Sequence, residues 1–170
     1  MRIARIRALT FLCALALVAA VATLWAIRND SQLSSGSDCQ PGAVEIKTAP
    51  IPDPPEIEIV VLNGTDRPGL ADQAAVQLED RGFVVVEVGD TDEEVGEAAL
   101  VKYGPEQYAA GLHTHAYFYG GRDGFNLEWE GPITIVLGNA FKEARSTSDA
   151  RQSFALGSGI TLPEGTCAVE

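Results

Sequence analysis

Two histidines, an acidic run and three cysteines are the residues whose types and spacing suggest chemistry in this 170-residue chain. On a strand, His113 and His115 would share one face and begin a metal site; on a helix they would point about 200° apart. No second cluster of Cys, His or carboxylate at zinc-like spacing accompanies them, so the last turn of a helix is their expected place. Asp90, Asp92 and Glu94 alternate like ligands of a hard cation. An EF-hand loop beginning at Asp90 would need Gly and Glu where Val95 and Val101 stand, so a solvated acidic turn is expected instead. Gly157-Ser158-Gly159 lacks the outer spacing of Gly-x-Ser-x-Gly, and the chain has no Ser-x-x-Lys and no phosphate loop with Lys. The expectation is therefore a protein without catalytic residues, metal or cofactor.

Binding chemistry has better candidates. Tyr103, Tyr108, Tyr117, Phe118, Tyr119, Phe125 and Trp129 cluster late in the chain. Most are expected in the core, but aromatic faces also serve as platforms for sugar rings. Around the glycine-rich stretch 120–124, Tyr119, Arg122, Asn126 and Trp129 form the candidate glycan surface. Residues 65–69 lead into a helix N-terminus, whose N–H groups attract anions. Capping by Thr65 or Asp66 is the simpler reading, and Asp66 would repel an anion.

The elements that must position these residues begin at residue 57. Residues 57–62 read as a strand, Asn63-Gly64 as a turn tolerant of positive φ, and Pro68 as part of a first helical turn. Leu70, Ala71, Ala74, Ala75 and Leu78 fall on one helical face, and Gly82 supplies a left-handed stop. Strands follow at 83–88 and 97–103, with an acidic loop at 89–96 between them and a short helix from Pro105. Residues 117–119 and 125–129 read as two arms of a hairpin, and 133–137 as the last core strand. The predicted class is α+β, a βαββαβ-like split βαβ sandwich with helices on one face of a mostly antiparallel sheet.

Val61-Leu62-Asn63-Gly64-Thr65, Pro68-Gly69-Leu70-Ala71 and Arg81-Gly82-Phe83 resemble the LytR C-terminal domain, a small module of envelope proteins. Val101-Lys102-Tyr103-Gly104 and Ile135-Val136-Leu137-Gly138 with Phe141 extend the resemblance over roughly residues 57–141. It implies a bacterial envelope accessory protein, without the ligase domain that other members carry, that binds or scaffolds in cell-wall maintenance. The same layout resembles SPOR-type domains, which implies direct recognition of peptidoglycan or another wall glycan. A regulator docking on an envelope synthase or ligase is the third reading.

The termini bear on location. Arg2, Arg5 and Arg7 precede an uncharged stretch, 9–27, about the length that spans a bilayer as a helix. With one arginine after it, the expected topology is a cytoplasmic stub at 1–8 and a single transmembrane helix at 9–27, the rest lying outside. A cleaved signal peptide is the rival, though its apolar region is usually shorter. Residues 28–55 read as a Ser- and Pro-rich linker, 56–144 as the domain and 145–170 as a flexible tail.

Of 12 basic residues three precede residue 28, leaving 9 against 24 acidic ones outside, a net −15. No basic, aromatic-interleaved stripe is present, so nucleic acid is not an expected partner. Peptidoglycan, a wall polymer or an envelope biosynthesis protein is. Cys13 lies within the apolar stretch, which leaves Cys39 and Cys167 to pair as a disulfide in an oxidising compartment.

Overall fold

A computed structural model describes Val18, Ala19, Val21, Cys39, residues 41–156 and residues 162–169. The chain divides into Met1–Ser37 and Asp38–Glu170. In the first unit only Val18, Ala19 and Val21 are described, as helix. The expected membrane helix at 9–27 otherwise lies outside the described residues, among which no helix is long and apolar enough to cross a membrane.

The second unit contains strands β1 (Val44–Lys47), β2 (Glu58–Asn63), β3 (Val84–Asp90), β4 (Ala99–Tyr103), β5 (Arg122–Phe125), β6 (Ile133–Leu137) and β7 (Thr166–Val169). Its helices are α1 (Leu70–Glu79), α2 (Tyr108–His115) and α3 (Thr147–Leu156). Five strands form one sheet in the order β3-β2-β6-β4-β5. The pairs β2/β3, β2/β6 and β4/β5 are parallel, and β4/β6 alone is antiparallel.

The sheet is therefore mixed and mostly parallel, a correction to the antiparallel expectation. The reason is local: β2-α1-β3 and β4-α2-β5 are both strand–helix–strand units whose strands are neighbours, and a helical crossover returns the chain parallel. The predicted hairpin is corrected with it. Tyr117 and Phe118 are buried in the turn that leaves α2, and Arg122–Phe125 pairs with β4 rather than with residues 117–119. The expectation of helices on one face holds. A single core joins Leu70, Ala74 and Leu78 of α1 and Tyr108 of α2 to Ile59, Val61, Val101, Ile133 and Ile135 of the sheet. The opposite face carries a smaller cluster of Val95, Leu100 and Val136, with Leu62 against it.

The apolar face of α1 consists of the five predicted residues. Its start differs. Gly69, with φ 72°, is the N-cap, no side chain caps the helix, and Pro68 lies outside it. Gly82 adopts φ 96° as predicted, and its N–H donates to Glu79 O at 2.8 Å. Arg81 then reaches over to the segment after β6. Its guanidinium donates to the carbonyls of Gln77, Ala144 and Arg145. Arg81→Ala is expected to lower stability by about 2 kcal/mol, because three carbonyls lose a charged donor. A urea unfolding midpoint measures this, and Arg81→Lys should not restore it, since one ammonium cannot reproduce the planar fork.

Three elements occur where the sequence reads as linker and tail. β1 pairs in parallel with β7, and Ile46 of β1 is 1% exposed in the main core. Helix α3 places Ala150 in the same core. Cys39 and Cys167 form the expected disulfide, with Cα atoms 5.6 Å apart.

Candidate functional site

The turn after β2 is built around Asn63, which is 4% exposed. Its Oδ1 accepts from the Thr65 N–H at 3.2 Å and the Thr65 hydroxyl at 2.8 Å. Its Nδ2 donates to Arg67 O at 3.0 Å and to Asp90 Oδ1 at 3.2 Å. Every polar atom of the Asn63 side chain is thus engaged inside the fold. Arg67 extends the network by donating to Phe141 O at 2.9 Å.

Gly64 does not adopt positive φ. It is glycine because a Cβ there would lie 2.3 Å from Glu93 O. Gly138, at the end of neighbouring β6, faces the same loop: its Cβ would meet Glu97 O at 2.1 Å and Val95 O at 2.5 Å. Ligands of open α/β sheets commonly enter at the carboxyl ends of parallel strands. Here those ends of β2 and β6 are covered by residues 93–97, with Val95 1% exposed. The hollow beside the α1 N-terminus is lined by Asp72 and Asp90 as well as Gly69, which disfavours an anion.

The histidines lie on α2, as the helical reading expects. His113 Nδ1 is 2.8 Å from Pro52 O and His115 Nε2 is 3.0 Å from Gly121 O. A carbonyl only accepts, so each of these nitrogens carries the proton. The two rings thus tie α2 to two separate segments. No group of three metal-ligating side chains occurs among the described residues.

The four candidate glycan residues fall in two places. Tyr119 is 79% exposed beneath the Arg145 guanidinium, 4.9 Å from its ring centroid. Arg122 opens β5 and lies 3.7 Å from Glu97. Asn126 and Trp129 sit beyond the other end of β5, roughly 13 Å away at 3.3 Å per residue. There Asn126 Oδ1 accepts from the Glu128 N–H at 2.9 Å, and the Trp129 N–H donates to Asn126 O at 3.1 Å. The indole N–H donates to Pro132 O at 3.1 Å, and the Lys102 ammonium, paired with Glu93, lies 5.6 Å from the ring centroid.

Trp129 borders a groove of about 510 Å³, lined also by Val44, Glu45, Pro105, Glu106, Leu127 and Glu130. Two turns create it: a Cβ on Gly104 would lie 1.9 Å from Trp129 O, so the 104–107 and 126–131 turns are in direct contact. The groove was not foreseen from the sequence. Its one signal was the pair of Gly-Pro dipeptides, Gly104-Pro105 and Gly131-Pro132, each marking a turn.

Next to Gly104 in the chain, Tyr103 is fully buried, and its hydroxyl finds no hydrogen-bond partner among the described residues. Burial, followed by the negative charge of Asp123, pushes this hydroxyl well above its ordinary pKa; the same causes raise Tyr108. A folded-state pKa above the unfolded value contributes stability below about pH 10 that is lost as pH rises further. Urea midpoints should hold to about pH 9 and fall above pH 10. Tyr103→Phe should reduce that fall.

Residues 56–141 match the family model LytR_C, described as "LytR cell envelope-related transcriptional attenuator". Among solved structures, the soluble domain of a conserved hypothetical secreted protein from Mycobacterium marinum is similar at 22% identity and a TM-score of 0.48, over 69% of this chain and 81% of that one. No curated protein matches.

Proposed function

This chain belongs to the LytR C-terminal domain family, and we propose that it is a non-catalytic accessory protein of the cell envelope, binding or scaffolding in cell-wall maintenance. The observation that carries this reading is how the family motifs are used. Asn63, Gly64, Thr65, Gly104 and Gly138 serve turn geometry and backbone clearance, and Arg81 joins segments. Of these only Gly104 borders the groove, and it has no side chain to act there as a catalytic group would. Residues 9–27 anchor the chain in the membrane with its N-terminus inside and the domain outside. The Cys39–Cys167 disulfide supports the outer, oxidising side.

The test is co-sedimentation of the full-length chain, in neutral detergent, with purified sacculi, with and without their attached polymers. Binding to either would make the protein a wall ligand. Binding to neither, together with a discrete in-cell crosslinked partner, would make it a protein scaffold. Trp129, which borders the groove, is the residue that tests the glycan arm. If a glycan binds there, Trp129→Ala should reduce sedimentation severalfold, and Tyr119→Ala and Arg122→Ala should not. Loss with the second pair alone would move the surface to the Arg145 end.

A further inference from the structure

The groove beside Trp129 has a second wall made by β1, whose edge away from β7 pairs with no strand among the described residues. The Val44 N–H donates to Gly165 O at 2.9 Å, so Val44 faces β7. In a parallel pair the N–H and C=O of one residue point to the same side, and successive residues point to opposite sides. The N–H and C=O of Glu45 and Lys47 therefore point away from β7, and Glu45 lines the groove. An unpaired strand edge beside a groove is the geometry that accepts an added strand.

The groove has a definite chemistry. Glu45, Glu106 and Glu130 line it, with no Lys or Arg. The nearby cation, Lys102, lies over Trp129 and is already paired with Glu93. Val44, Pro105, Leu127 and Trp129 supply apolar surface. Its volume, about 510 Å³, is within the range of specific ligand sites. Anionic wall polymers are repelled by such a lining. Stacking of a neutral sugar is also disfavoured, because the indole is engaged by Lys102 and by Gly131, whose added Cβ would lie 3.2 Å from the ring.

We propose that this groove receives an extended, basic segment of a partner envelope protein, laid beside β1 as a third strand. Main-chain bonds to Glu45 and Lys47 align it. Alternate side chains meet the apolar wall, and its Lys or Arg residues meet the carboxylates. The proposal rests on the scaffold reading of the function. The two fail separately, because sedimentation reports wall binding whereas a peptide titration reports on the groove.

The experiment is calorimetric titration of the full-length chain, in neutral detergent, with a capped heptapeptide of alternating Val and Lys. Saturable binding that weakens with salt is expected. It should fall about tenfold in the Glu106→Gln/Glu130→Gln variant, where two attractive contacts are lost. Both residues are exposed, and unchanged circular dichroism would show the variant folded. A peptide N-methylated at alternate positions should lose binding, since it cannot pair as a strand. No saturable binding, equal binding of a Val-Glu peptide, undiminished binding of the N-methylated peptide, or displacement by soluble disaccharide fragments of peptidoglycan would each overturn the proposal.

Discussion

Gly138→Ala is expected to lower the stability of the domain by at least about 3 kcal/mol, at the upper end of overpacking substitutions. The added methyl group would lie 2.1 Å from Glu97 O and 2.5 Å from Val95 O. Both atoms are backbone, so no rotamer change relieves the contact. The loop that carries them cannot withdraw freely either. The Gly138 N–H donates to Ala98 O at 3.0 Å, and the Asn139 N–H to Val95 O at 2.9 Å. Moving the loop also uncovers Val95, which seals the second cluster over Leu100 and Val136.

Gly64→Ala and Gly104→Ala should behave alike, with backbone oxygens 2.3 and 1.9 Å from the added carbon. Gly96→Ala is the control. Nothing lies within 4 Å of its Cβ position and its φ is not positive, so it should be neutral or slightly stabilising. Thermal unfolding of the four variants checks the set, with a fall of 10 °C or more expected for the first three. A Gly138→Ala protein as stable as the parent would mean that residues 93–97 do not cover the strand ends.

These glycines also show what a sequence exposes and what it hides. Their positions were legible as motif, but the reason for Gly64 was not. A turn needing positive φ and a backbone needing clearance look the same in one dimension. The α1 face and the Gly82 stop were legible because both are local: spacing of 3.6 residues and one left-handed residue. Strand direction was not. Gly120-Gly121-Arg122-Asp123-Gly124 carries a strong turn signal, yet Gly120 alone takes positive φ, at 70°. The chain turns once there and enters β5 parallel to β4. The candidate site was partly legible: of the four candidate residues, Trp129 is the one that lines the groove. Its other wall comes from Val44 and Glu45, some 80 residues earlier in the chain, which no local pattern connects to Trp129.

Removing the disulfide by Cys39→Ser is expected to release β1 and β7 while the five-stranded sheet persists. Four residues on each side make a two-stranded ladder, which is marginal by itself. The bridge closes a sequence separation of 128 residues, and the chain-entropy model assigns a loop of that size about 5 kcal/mol. Measured losses for native bridges run roughly 2–5 kcal/mol, so about half of that figure is the conservative expectation. Only Ile46 of β1 is fully buried, and it cannot hold both strands alone. Amide exchange should therefore lose protection at Val44 and Ile46 of β1 and at the β7 residues that donate to them. Protection should be retained at β2 and β6, whose core residues Ile59, Val61, Ile135 and Leu137 are all 0% exposed. Because Val44 and Glu45 form one wall of the groove, the variant should also lose the Val-Lys peptide although its sheet is intact. Retained protection at both short strands would show that packing alone holds them and would remove the link between the disulfide and the groove.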